Sequence, residues 1–225
     1  MPRKLATSGV FLLAVGCSGD APVANCEYGV NAAREGKYEE AVKVISSCLV
    51  SPGLAVNARA DALQARAWAH SKLSQDSLAV EDQEAAFKLR SPDYREFISY
   101  ASYLRRVGRH QDSLDAVLAA ERTEGGKVSM MTQYHKGWSL LELGRHKEAA
   151  EAFTKGIPAQ PDYAFVYWRR GLAYEGLGKK QLARRDFEHC AQLLISKNEV
   201  ASAGELLPAM RAKLRQYGLD KRFSL

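Results

Sequence analysis

Small and apolar residues recur along this chain with a long period. Gly137, Gly144, Ala149 and Phe153 each have a counterpart 34 residues later, at Gly171, Gly178, Ala183 and Phe187, and Gly156 is matched by Cys190. No run of Val, Ile and Thr alternates as a half-buried strand would. Ala, Leu, Glu, Arg and Lys, all strong helix formers, are abundant, and there are seven prolines. The chain therefore reads as all-helical. A short turn marked by Gly144 and again by Gly178 divides each period into two helices. The tail ends in Leu206, Leu207, Met210 and Leu214, spaced three and four apart, which predicts one further amphipathic helix.

The same marks extend backward with less fidelity. Ala101, Gly108, Ser113, Val117 and Ala120 form an earlier copy, displaced by two residues around 124–126. Ala67, Ala79 and Ala86 form another, and Gly29, Gly36, Tyr38, Ala41, Ile45 and Cys48 form the first, with four extra residues around 51–54. Small residues at fixed places are what two antiparallel helices need where they cross. A hairpin so built cannot bury its own apolar face, so copies must stack.

This pattern resembles the tetratricopeptide repeat, whose 34-residue unit runs W-x2-L-G-x2-Y, A-x3-F, P. Gly137 and Gly171 take the small place in the first helix and Tyr174 the aromatic one, with Leu140 standing in one copy earlier. Ala149 and Ala183 take the small place in the second helix. Pro161 closes one copy, and Ile195 replaces it in the next. The resemblance implies an all-α fold: a right-handed superhelix of about five hairpins over residues 22–197, closed by a capping helix and tail over 198–225.

The resemblance also implies a concave inner surface. At about 100° per residue, repeat positions 4, 8 and 11 pack within the hairpin, and positions 2, 5, 6, 9, 12 and 13 turn inward. Trp68 and Trp138 stand at position 9. Ile98, Tyr134 and Trp168 stand at position 5, Arg95 and Phe165 at 2, His135 and Arg169 at 6, and Arg105 and Arg106 at 12 and 13. These eleven residues are the expected partner-binding groove, since Trp, Tyr and Arg dominate binding hot spots. For each tryptophan a second reading stays open, that the ring is half-buried against the next hairpin. Some family members grip a C-terminal carboxylate with lysine and asparagine; no asparagine stands at position 9 here, and that clamp is not expected.

Charge and the remaining chemistry narrow the function. The formal net charge is +6, with Lys and Arg interleaved with Asp and Glu, so no nucleic-acid partner is expected. Arg3 and Lys4, then seven apolar residues from Gly9 to Val15, lead to Cys17. The stretch is too short for a span, which needs about 20 residues, and suits a secretory signal. Residues 1–17 resemble a bacterial lipoprotein signal with Ala14-Val15-Gly16-Cys17 as lipobox, implying a lipidated Cys17 and a membrane anchor. An ordinary cleaved signal is the other reading. Residues 18–25 would be a tether, and Ser18 leans toward the outer membrane, facing the periplasm. In that oxidising setting Cys26 and Cys48, at matching ends of the first hairpin, are expected to form a disulfide worth about 3 kcal/mol. Cys190 is expected as a buried thiol.

His70, His110, His135, His146 and His189 form no H-E-x-x-H, and no nucleophile elbow or phosphate loop occurs. No enzyme, cofactor, metal or small-molecule substrate is expected. The expectation is a lipid-anchored envelope scaffold, of the pilotin, assembly-factor or cell-wall-enzyme-adaptor kind, that binds a protein or peptide. The alternative is an immunity-type binder of one enzyme.

Overall fold

The computed structural model describes residues 21–127 and 129–223, and the leader with Cys17 lies outside them. Ten helices pair as five antiparallel hairpins: α1 (Ala21–Arg34) with α2 (Tyr38–Leu49), α3 (Val56–Lys72) with α4 (Asp76–Phe87), α5 (Tyr94–Arg106) with α6 (His110–Arg122), α7 (Met130–Glu142) with α8 (His146–Gly156), and α9 (Ala164–Gly176) with α10 (Lys180–Ser196). Short 3-10 turns occupy Ile157–Ala159 and Val200–Leu206, and α11 (Leu207–Gln216) is the last helix among the described residues. The second helix of each hairpin lies on the first helix of the next, and α1 also meets α3, α5 meets α7 and α7 meets α9. The architecture is the expected right-handed superhelix of stacked hairpins. α1 starts at Ala21, so residues 21–25, expected as tether, are already helical.

The 34-residue marks have direct steric causes. A Cβ on Gly137 would lie 2.6 Å from the ring of Phe153, and one on Gly171 would lie 2.6 Å from the ring of Phe187. The helices cross there with a phenylalanine ring against bare backbone. The turns inside the hairpins need left-handed backbone, met by Gly108, Gly144 and Gly178 at φ between +70° and +79°. Ser74 takes that place in hairpin two at φ +59°, which is why the copy was harder to see.

Polar side chains also repeat. Arg66 grips Asp82 with two hydrogen bonds, at 2.7 and 2.6 Å, and reaches back to Ser46 of the preceding hairpin at 2.9 Å. Arg170 does the same to Asp186, both at 2.8 Å, and to Thr154 at 3.1 Å. Paired in this way, nearly buried aspartates are tolerated between helices. Between hairpins three and four, the buried Ser113 hydroxyl shares a 2.8 Å hydrogen bond with that of Ser139.

The two ends differ from the middle. Cys26 and Cys48 are joined in a disulfide, with Cα atoms 5.3 Å apart, so the first hairpin is covalently stapled. At the other end Met210, Leu214 and Leu219 bury themselves against the last hairpin. Lys213 and Tyr217 hold Glu175 of α9 at 2.6 and 3.1 Å. The closing helix is real but shorter than the 198–225 segment. Cys190 is a buried free thiol whose pKa burial pushes up to about 12.

Candidate functional site

The first helices of the hairpins carry the expected groove residues, and the structure divides them into two groups. At the centre, Trp138 of α7 is partly buried between two arginines. The guanidinium carbons of Arg105, from α5, and Arg169, from α9, each lie 3.6 Å from the indole centroid. Two groups that close to one centroid cannot share a face, so the ring is sandwiched. Its Nε1–H donates to Glu142 at 2.9 Å. Tyr134 meets the indole edge-on at 5.7 Å, and His135 lies 6.2 Å away. Arg105 approaches His135 Nδ1 at 3.5 Å and donates to Ser102 Oγ at 3.3 Å.

The electrostatics of this cluster are unusual. Arg105 and Arg169 are 7% and 9% exposed. Burial, and then the neighbouring charge of Arg169, lower the pKa of Arg105 to about 10. Burial, followed by both arginines, lowers His135 to about 3, so its imidazole is neutral.

The second part is a cleft of about 630 Å³ between α1 and α3. Val30, Ala58, Ala65 and Trp68 supply its apolar wall, and Glu27 and Asp61 its acidic rim. Trp68 is partly buried, meeting Tyr38 edge-on at 5.7 Å, with the Lys72 ammonium 5.9 Å from its ring. Sequence reasoning named Trp68 here and missed the rest. Yet Cys26, Glu27, Val30 and Arg34 stand at positions 5, 6, 9 and 13 of the first copy, and Asp61, Gln64 and Ala65 at 2, 5 and 6 of the second. The position rule applied to hairpins one and two would have found them.

Several expected groove residues do not face a visitor. Trp168 is 4% exposed and packs on Phe187 at 5.0 Å, inside hairpin five. Ile98 is buried in the core of hairpins two and three. Tyr134 is buried among Phe153, at 6.0 Å, and Tyr163, at 5.3 Å. In hairpins three to five position 5 sinks because each first helix is covered by its neighbours, a packing that a single-helix wheel omits. His135, Arg105 and Arg169 are likewise buried, though gathered around Trp138. Arg106 is exposed but bonded to Ser71 and, at 2.8 Å, to Asp76. Phe165 is partly buried 5.6 Å from Tyr163. Arg95 is exposed beside the ring of Tyr94, at 5.3 Å. His146 packs its ring on the backbone of Gly176 in the next hairpin.

Among the described residues no three His, Cys, Asp or Glu side chains gather as a metal site would require, and no helix is long and apolar enough to cross a membrane.

The spacing, the crossings and the stacking resemble one known repeat. The tetratricopeptide repeat family matches residues 101–164 and again 134–188. That match runs from within α5 to within α10. Solved structures share the fold along most of the chain. A crystal structure of MamA protein is 20% identical, with a TM-score of 0.67 over 80% of this chain and 96% of that one. MamA from Desulfovibrio magneticus RS-1, residue 41 to the end, is 16% identical, with a TM-score of 0.69 over 79% and 97%. At these identities the likeness is one of fold. No curated protein sequence matches the chain.

Proposed function

We propose that this chain is a scaffold that binds a protein partner along its concave face, held to the bacterial envelope by lipid on Cys17. The observation that carries the reading is the partly exposed Trp138 between two arginines from flanking hairpins, at the centre of a rigid concave row. Aromatic and arginine side chains presented together on a preformed surface are the usual anchors of protein interfaces. The cleft beside Trp68 extends that surface toward the first hairpin. The tetratricopeptide repeat match supports a role in binding rather than in chemistry. The basic, apolar and small-residue order of residues 3–17 supports the anchor and an outer-membrane address facing the periplasm. In that place the scaffold serves as an assembly factor or as an adaptor for a cell-wall enzyme.

Photo-crosslinking in intact cells tests this. A benzoylphenylalanine at Trp68 or Phe165 is expected to capture one defined protein, and the same probe at Leu182, exposed on α10, is not. Equal capture from both faces, or none from the groove, refutes the scaffold. Separately, Cys17→Ser is expected to abolish acyl labelling and release the protein from membranes. Unchanged membrane retention refutes the anchor.

A further inference from the structure

The arginines around Trp138 break a rule that the other sheltered arginines keep. Arg66, Arg90 and Arg170 each hold a carboxylate, at 2.6 to 2.8 Å. Arg59 is bonded to the backbone carbonyls of Leu49 and Ser51. Arg105 and Arg169 are more buried than any of these, and among the described residues no carboxylate lies within ion-pair reach of either. The Nε of Arg169 is enclosed without a hydrogen-bond partner, and among the described residues no hydrogen bond or ion pair holds its terminal nitrogens. Arg105 has only a serine hydroxyl and the neutral His135.

Cation–π contact offsets part of this. It does not satisfy hydrogen-bond donors, and it holds two like charges on opposite faces of one ring. A buried charge without a counter-charge is costly. Glu142 is the acid nearest the stack, but its oxygen accepts from the indole, and the residue is exposed. Arg106, the next cation on α5, is engaged with Asp76. The remaining polar neighbours, Tyr134, His135 and Ser102, bring no negative charge. The cluster is therefore short of an anion, and the partly exposed indole marks where one can enter.

We propose that the Arg105–Trp138–Arg169 stack is an acceptor for side-chain carboxylates of an acidic segment on the partner protein, with one Asp or Glu for each guanidinium. This rests on the reading that the concave face binds a protein, and it names the chemistry of that protein. Guanidinium and carboxylate make paired, charge-assisted hydrogen bonds in just this geometry. The indole keeps the two arginines apart and fixed, so little ordering is lost when the acid arrives. The chain's own positive charge, interleaved elsewhere, is concentrated and unpaired here.

The test uses the purified chain and a hexa-glutamate peptide with an amidated C-terminus, so that side-chain carboxylates alone are offered. Hexa-glutamine, inorganic phosphate and phosphatidylglycerol vesicles are run beside it. The glutamate peptide is expected to bind at pH 7, more weakly as salt rises, and to shift the NMR signals of the Trp138 indole N–H and of the Arg105 and Arg169 Nε–H groups. R105Q/R169Q is expected to lose at least about tenfold in affinity, and R184Q, exposed on α10, to lose little. Equal binding of hexa-glutamine overturns the proposal, as does undiminished binding by R105Q/R169Q or the absence of any shift at the Trp138 indole and the two arginine Nε–H groups. Preferential binding of phosphate or vesicles gives the stack to a different anion and overturns it too. If R105Q/R169Q does not fold, the indole and arginine Nε–H shifts in the unaltered chain decide alone. Failure here with groove crosslinks intact leaves the scaffold standing, and peptide binding without crosslinks removes the scaffold and keeps the anion site.

Discussion

Gly171→Ala pits helix propensity against packing, and the structure says which wins. In an open helix the change gains about 1 kcal/mol. Here the new methyl would sit 2.6 Å from Phe187 Cε1, where ordinary contact begins near 3.4 Å. The ring would have to retreat by roughly 0.8 Å in an interior packed as densely as a crystal. It has nowhere to go: Phe187 is 1% exposed, with Trp168 at 5.0 Å and Tyr217 at 5.4 Å on its other sides. Overpacking of this kind costs about 1–3 kcal/mol. The net expectation is a loss of about 1 kcal/mol, or roughly 2–4 °C in Tm for a chain of this size. Urea unfolding followed by circular dichroism measures it. The decisive control is the same change in a Phe187→Leu background, where the ring is gone and alanine is expected to stabilise. If Gly171→Ala stabilises the unaltered protein, or costs the same in both backgrounds, then close approach is not what the glycine is for.

Ser74→Gly is expected to stabilise by up to about 1 kcal/mol, because serine pays for left-handed backbone that glycine adopts freely; thermal unfolding reads it. Opening the Cys26–Cys48 bond, which closes a loop of sequence separation 22, is expected to cost about 3 kcal/mol by denaturant titration with and without reductant. His135 gives a pH dependence of known sign. Its folded pKa, about 3, lies below the ordinary value of 6.5, so the unfolded chain takes up the proton first. Stability is then full above about pH 6.5 and falls as pH drops toward 3, and His135→Asn is expected to flatten that slope. Asp186→Ala, which strands the guanidinium of Arg170, is expected to cost about 3 kcal/mol, seen as an earlier urea midpoint.

The hairpins were legible because their marks are steric. Gly137 facing Phe153 and Gly171 facing Phe187 leave no alternative residue, so the period shows in the sequence. Hairpin two was fainter because Ser74 performs a glycine's task. The groove was legible in part. Position 9 kept Trp68 and Trp138 partly open, as a helical wheel suggests, while position 5 did not keep Trp168 open. A wheel describes one helix, and the burial of Trp168, Tyr134 and Ile98 is decided by the helices beside it. Nor could spacing show that Arg105 and Arg169 would meet on one indole. That depends on how far neighbouring first helices slide past one another, which no single repeat encodes.

A stacked row whose units touch only their neighbours tends to come apart from its tips, where each unit has one neighbour instead of two. This row has neither tip loose: one is sewn by sulfur, and the other is latched through Glu175. Heat must therefore break it in the middle or all at once, and clipping the latch should let hairpin five fray while hairpin one stays shut.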